Sequence, residues 1–276
     1  MNQPPPPPVI RVDTAAWRGG AYKAISRALP EEVAIALTYD RATFAVMMAS
    51  PADLEDFAIG FSLSEGIIGS PDEITGFETI VTDDGIECRM TLPPAARDAL
   101  AARRRHLAGP LGCGLCGLDS LAQVGRAPPV VRASATMAAE TIADALARMA
   151  RLQVLNNETR AIHAAAFFNP ARNDLLVRED VGRHNALDKL IGAVARRADP
   201  PSTGAVLLTS RLSLDLIQKT AIFGAGILVA ISVPTARAVR EAAQAGITLI
   251  AVARDDGFEV FTHPWRVIFG AQSDVA

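Results

Sequence analysis

Apolar and polar positions change rhythm more than once along this chain of 276 residues. Between 31 and 49 they alternate. Glu32-Val33-Ala34-Ile35-Ala36-Leu37-Thr38 and Thr43-Phe44-Ala45-Val46-Met47-Met48 flank a polar Tyr39-Asp40-Arg41, which predicts two strands joined by a turn. From Leu54 the period lengthens, with Leu54, Phe57, Ala58 and Phe61 recurring at helical spacing. Ser50 is placed to cap that helix, Pro51 to open it, Asp53 to sit in its first turn and Gly66 to stop it. Phe77 to Thr82 and Ile86 to Leu92 read as two more strands. From about 135 helix and strand take turns. Ile142, Leu146 and Met149 mark a helix, and strands follow at Leu175 to Arg178, Ala205 to Thr209, Ile227 to Ile231 and Thr248 to Val252. Helical segments at 181–196, 213–224 and 235–245 separate them. This order predicts a largely parallel sheet with right-handed crossovers.

Two stretches carry no such rhythm. Pro4 to Pro8 forbid helix and ladder pairing, which predicts a disordered tail over residues 1–20. Residues 93–130 open on Pro93-Pro94 and close on Pro128-Pro129. Between them a short basic helix with Arg103-Arg104-Arg105-His106 is expected to lead into a mobile loop, about 107–120, where Gly109, Gly112, Gly114 and Gly117 argue against packed structure. The chain thus divides into a tail (1–20), an N-terminal α+β domain with the loop (21–130) and an α/β domain (131–276).

Composition narrows the classes of function. Half the residues are apolar, enough for a sizeable core. A net charge of −3 gives no general drive toward nucleic acid or an anionic membrane. An anionic ligand would need a local basic cluster. No apolar run reaches the roughly 18 uncharged residues of a membrane span, and no apolar leader opens the chain, so the cytoplasm is the expected compartment. Three cysteines, an odd number, do not make a secreted disulfide scaffold, and cytoplasmic thiols stay reduced.

Open α/β sheets bind ligands at the carboxyl ends of their strands. The four predicted ends carry Glu179-Asp180-Val181-Gly182-Arg183-His184-Asn185, then Ser210-Arg211, then Ser232-Val233-Pro234-Thr235, then Arg254-Asp255-Asp256-Gly257. Arginines, a histidine, hydroxyls and a helix N-terminus after Pro234 are the parts of a phosphate or pyrophosphate site. Polar residues also follow buried strands for no reason but solubility. G-x-x-x-x-G-K-[ST] is absent, and no G-x-G-x-x-G joins a strand to a helix in the α/β half, so a P-loop hydrolase or dinucleotide dehydrogenase has no support.

The pair Cys113 and Cys116, in Gly112-Cys113-Gly114-Leu115-Cys116-Gly117, is the clearest candidate chemistry. Two thiols at that spacing can form a redox disulfide, supply half a zinc site or carry sulfur as a persulfide, and the thiolate acts in each case. Zinc needs about four ligands. There is no second C-x-x-C, and Cys88, His106, His163, His184 and His263 stand at no recognised zinc spacing. A thioredoxin-type pair would sit in a βαβ unit, whereas this one precedes the α/β half. Cys88, alternating with apolar residues, reads as a small core residue.

These residues resemble the formate dehydrogenase accessory sulfurtransferases, the FdhD family. The matching stretches are Asp53-Leu54-Glu55-Asp56-Phe57-Ala58-Ile59-Gly60-Phe61 with Ser64-Glu65-Gly66-Ile67-Ile68, the Cys113-Gly114-Leu115-Cys116-Gly117 loop, and His163-Ala164-Ala165-Ala166. They continue through Glu179 to Lys189, Thr209-Ser210-Arg211, Gln218-Lys219 and Ala230 to Thr235. The resemblance implies that sulfur passes as a persulfide from a cysteine desulfurase to the molybdenum bis(molybdopterin guanine dinucleotide) cofactor that matures formate dehydrogenase. It implies Cys113 as the carrier and Cys116 as an assisting thiol, with no permanently bound metal. It also implies a homodimer and a cytidine-deaminase-like, three-layer C-terminal domain. The guanine dinucleotide part of the cofactor is expected near Val252, Ala253, Arg254, Asp255, Asp256 and Gly257. Arg211 and Thr235 would hold its phosphates, with His184 and Lys219 as further contacts. One departure stands out: where the family commonly has a glycine pair before the His motif, this chain has Arg160-Ala161. An active zinc deaminase is not expected, because His163-Ala164-Ala165 lacks the glutamate of H-x-E and the C-x-x-C lies upstream. The other readings are a zinc-stapled module and a non-catalytic cofactor-binding chaperone.

Overall fold

The computed structural model describes residues 3–104, 128–254 and 256–270. Cys113, Cys116 and Asp255 lie outside the described residues.

The chain begins with a ribbon, β1 (Val9–Arg18) and β2 (Ala21–Pro30), paired antiparallel about Gly19-Gly20, both at positive φ. This corrects the expected disordered tail. The proline run ends at Pro8, and every residue from Val9 to Leu29 has an N–H to pair.

Next come β3 (Val33–Tyr39), β4 (Ala42–Ala49), β5 (Gly76–Thr82) and β6 (Gly85–Thr91), in sheet order β4-β3-β6-β5. Helices α1 (Leu54–Ser64) and α2 (Pro94–Arg104) complete this half. Ile35, Leu37, Ile86, Cys88 and Met90 share the buried face of the sheet and pack on Leu54, Phe57, Phe61 and Leu100 of the helices. Helix α1 starts three residues later than expected. Asp53, in the left-handed region, is its N-cap, without a side-chain cap bond. Ser50 is used elsewhere, as described below.

The second half contains β7 (Met137–Ala138), α3 (Ala139–Leu152), α4 (Val154–Thr159), β8 (His163–Asn169), β9 (Asp174–Asp180) and α5 (Arg183–Arg196). It continues through β10 (Ala205–Leu208), α6 (Leu214–Phe223), β11 (Ile227–Ala230), α7 (Ala236–Ala245), β12 (Thr248–Arg254), β13 (Gly257–Val260) and β14 (Val267–Ile268), the last paired with β7. The six-stranded order is β13-β12-β11-β10-β8-β9. Helices α5, α6 and α7 pack on one face through Leu187, Ile191, Leu216, Ile217 and Ala242. Helix α3 packs on the other through Ile142, Ala145 and Met149.

The sheet is mixed, not largely parallel. Only β10–β11 and β11–β12 pair parallel, while β8 and β13 run against their neighbours. Those two strands are the ones the hydrophobic pattern does not announce. β8 is alanine-rich, of low strand propensity, and β13 alternates over only four residues. Because β8 opposes both β9 and β10, strands β9 to β12 still share one direction. Their carboxyl ends therefore lie along one edge of the sheet.

The two halves meet where α1 crosses α5. A Cβ on Gly60 would stand 1.7 Å from the Asp188 carbonyl oxygen, and one on Gly192 1.9 Å from that of Asp56. Only glycine lets these backbones approach so closely.

Candidate functional site

Polar pairings between the halves fix the strand ends. Asp180, at the end of β9, and Lys189, on α5, are both without solvent exposure and lie 2.7 Å apart. Lys189 also donates to the Ser50 carbonyl at 2.9 Å. Asp180 accepts from the N–H groups of Ser50 (3.0 Å) and Gly182 (2.8 Å) and from Asn185 Nδ2 (3.0 Å). Val181 N–H donates to Ser50 Oγ at 3.2 Å. Ser50 thus joins the halves instead of capping α1.

A second network surrounds Lys219 on α6. Its ammonium donates to Ser64 Oγ at 2.8 Å and to both Asp188 oxygens at 2.9 and 3.0 Å, with Glu65 at 3.4 Å. Burial pushes the Asp188 carboxyl up, against the pull of Lys219. Burial alone would lower the Lys219 pKa, yet Asp188 and Glu65 raise it above its ordinary value. In a third network the buried Asp56 lies between Arg178 (2.7 Å) and Arg196 (2.8 Å). The stretches Asp53 to Gly66 and Glu179 to Lys189 therefore interlock with each other and with Lys219. Lys219 is satisfied inside the protein and ties α1, α5 and α6 together.

The rim that these networks hold is continuous. His163 is the register partner of Asp180. Thr209 Oγ1 accepts from Ala164 N–H at 2.9 Å. Leu212 bridges to Pro234, and Thr235 N–H donates to the Leu212 carbonyl at 2.9 Å. Val252 N–H donates to the Ser232 carbonyl at 3.3 Å. The structure thus brings Arg211, Thr235 and Val252 to Arg254 onto adjoining loops. Arg211 and Arg254 are exposed, whereas the Ala253 side chain is buried. Thr235 Oγ1 caps α7 by accepting from Ala238 N–H at 3.1 Å. Val252 has positive φ, and the β12–β13 register shifts between Ala251 and Arg254. The edge strand is re-aimed at this point, as bulges near functional sites commonly do. Asp256 and Gly257 are exposed beside the turn.

At the other end of the rim His184 contacts Asp215 through Nε2 and Oδ2, linking the first turns of α5 and α6. Burial pushes the Asp215 carboxyl up, but hydrogen bonding and charge from His184 outweigh it and leave the group below its ordinary value. His163, half-buried, is held below the ordinary imidazole value by burial first and then by Arg183. Sequence reasoning missed Asp215. Its one signal was an acid two residues after Ser213 at the start of a predicted helix.

Arg160 stands where the resemblance leads to an expected glycine. It ends α4 in the left-handed region with φ +58, its N–H donating to the Asn156 carbonyl. Glycine enters that conformation without strain and arginine does not. Cys88 lies fully buried in β6, its thiol pushed up to about 12 by burial. Among the described residues no cluster of three or more His, Cys, Asp or Glu is arranged to hold a metal, and no helix is long and apolar enough to cross a membrane.

A small helix-covered sheet stitched to a larger mixed sheet, with a polar rim carrying Arg211 and Arg254 along one edge, defines a mixed α/β protein. A crystal structure of a candidate formate dehydrogenase accessory protein from Desulfotalea psychrophila shares the fold. Its TM-score is 0.73 at 23% identity, covering 95% of this chain and 100% of that one. The FdhD/NarQ family model matches residues 30–268, and the chain belongs to that family. Its relatives include the sulfur carrier protein FdhD of Agrobacterium fabrum, 50% identical over 94% of this chain and 96% of that protein. The sulfur carrier protein FdhD of Cupriavidus necator is 46% identical over 95% of this chain and 91% of that one.

Proposed function

We propose that this protein carries sulfur as a persulfide on Cys113 from a cysteine desulfurase to the molybdenum bis(molybdopterin guanine dinucleotide) cofactor of formate dehydrogenase, with Cys116 assisting. The observation that carries this reading is the near full-length likeness, at 50% identity, to a sulfur carrier protein of the same family. Loading is a displacement without net oxidation. The Cys113 thiolate attacks the outer sulfur of the desulfurase persulfide. A Cys113 S–S bond forms as the donor S–S bond breaks, and the electron pair leaves on the donor thiolate.

The cofactor is cargo, and the rim is where this chain would receive it. Arg211 and Arg254 are exposed cations on adjoining loops, and the first turn of α7 at Thr235 presents backbone N–H groups to an anion. The stretch from Val252 to Gly257, which includes Asp255 and Asp256 in sequence, is assigned to the guanine nucleotide. The three arms Arg211, Thr235 and Arg254 suit a diphosphate better than a single phosphate. His184, oriented by Asp215, is the remaining contact. Lys219 serves by fixing α6, and so Asp215, in place. A deaminase-like ancestry for the second half is compatible with its three layers, while the chemistry rests on the loop cysteines.

Binding of a guanine nucleoside diphosphate tests the rim separately from the thiol. Arg211→Ala and Arg254→Ala weaken binding, while Cys113→Ala leaves it unchanged. Equal binding by all three variants would place the nucleotide elsewhere.

A further inference from the structure

Helix α5 opens against the usual rule for helix ends. Its first turn carries Arg183 and His184 and no acidic residue, although the N-terminal end of a helix favours negative charge. Its N-cap, Gly182, has no side chain to bond the N–H groups of that turn. The neighbouring carboxylates are engaged elsewhere. Asp180 is held by Lys189 at 2.7 Å and by the N–H groups of Ser50 and Gly182, and Asp215 is in contact with His184. Arg183 Nε, closed off from solvent, has no hydrogen-bond partner among the described residues. A buried donor of a charged group is costly to leave unbonded, and an anion beside it removes that cost.

His163 belongs to the same neighbourhood. It is the register partner of Asp180 and half-buried, and burial first and then the charge of Arg183 lower its pKa. The imidazole is therefore neutral at pH 7 and has one N–H to donate. Strand order sets this cluster apart from Arg254. Four inter-strand steps of about 4.8 Å separate β9 from β12, roughly 19 Å in all. A single diphosphate that touches Arg254 does not span that distance.

We propose that Arg183, the first-turn N–H groups of α5 and His163 form a site for a phosphate-type oxyanion, separate from Arg211, Thr235 and Arg254. An oxyanion accepts from the guanidinium, the backbone and the neutral imidazole at once. It also supplies the negative charge that the first turn of α5 lacks. A cationic ligand would meet the Arg183 charge and no unpaired carboxylate. The phosphate group is either free or carried on the cargo. The site adds to the sulfur-transfer reading, which holds the diphosphate on other residues, and stands if that placement fails.

Imidazole NMR of the full chain, titrated with inorganic phosphate, tests the proposal. In the wild type the His163 pKa rises by roughly one unit as phosphate binds, because a nearby anion favours the imidazolium. Phosphate also raises the melting temperature. Arg183→Gln weakens phosphate binding roughly tenfold or more, as loss of a charged hydrogen bond does. Its melting temperature without phosphate is not lowered, which separates loss of the site from loss of the fold. Arg211→Ala with Arg254→Ala keeps the phosphate response of His163. Guanosine diphosphate identifies the source. Weaker binding of it to Arg183→Gln assigns the site to a phosphate of the cargo, and equal binding assigns it to a free anion. A His163 that phosphate does not move, a response undiminished in Arg183→Gln, or a response lost with Arg211 and Arg254 would overturn the proposal.

Discussion

The Lys189 ammonium and the Asp180 carboxylate lie 2.7 Å apart with neither side chain exposed to solvent, at the junction of α5, β9 and the loop before α1. Removing one partner strands the other charge in the interior. Lys189→Met is expected to cost about 3–5 kcal/mol of unfolding free energy, read from urea denaturation. Replacing both residues with apolar ones of similar volume removes the stranded charge and leaves only the hydrogen bonds of Asp180 and Lys189 unmade, so the double variant separates the charge effect from the rest.

The α1–α5 crossing makes an independent prediction. Gly192→Ala places a methyl group 1.9 Å from the Asp56 carbonyl oxygen, and the helix backbones must part to admit it. A loss of about 1–3 kcal/mol or more is expected. The same separation pulls Asp56 from Arg178 and Arg196, so the guanine nucleotide binding proposed for the rim should weaken as well. Unchanged stability in Gly192→Ala would contradict the crossing geometry.

Acid sensitivity follows from two groups on the rim. His163 has a folded pKa below its ordinary 6.5, so the unfolded chain binds the extra proton first and stability falls as pH drops below about 6.5. Asp215 also has a lowered folded pKa. Its contribution is present above 3.8 and is lost as pH falls through the folded value. Imidazole titration followed by NMR should place His163 below 6.5, and Arg183→Ala should move it upward. Asp215→Asn should remove the lower-pH component of the acid unfolding curve while leaving the His163 component.

Thiol labelling distinguishes the three cysteines. The Cys88 thiol, pushed up to about 12 and buried in β6, should not react with iodoacetamide at neutral pH until the protein unfolds. Labelling of the native protein should therefore fall on Cys113 and Cys116. Ready modification of native Cys88 would contradict its place in the core.

Most elements were legible because their hydrophobic period is strong. The strands at β3, β4, β5, β6, β9, β10, β11 and β12 and the helices from α5 to α7 fall close to where spacing places them. What escaped has identifiable causes. β8, His-Ala-Ala-Ala-Phe-Phe-Asn, is a strand through its neighbours β9 and β10, not through its own propensity. Missing it made the sheet look parallel. The ribbon was hidden by the proline run before it, although Gly19-Gly20 is a usable hairpin signal. The partners of Lys219 were invisible for a different reason, since Ser64 stands 155 positions away and only the fold brings it near. The exposed rim residues Arg211 and Arg254 were legible because strand ends follow from strand order. Asp215 was not, because its role depends on where α5 begins.

The central claim concerns Cys113 as the sulfur carrier, and intact-protein mass spectrometry addresses it most directly. After incubation with a cysteine desulfurase and cysteine, the wild-type chain should gain the mass of one sulfur atom, removable by a thiol reductant. Cys113→Ala should show no gain, while Arg254→Ala should gain as wild type does. An undiminished gain in Cys113→Ala would contradict the assignment.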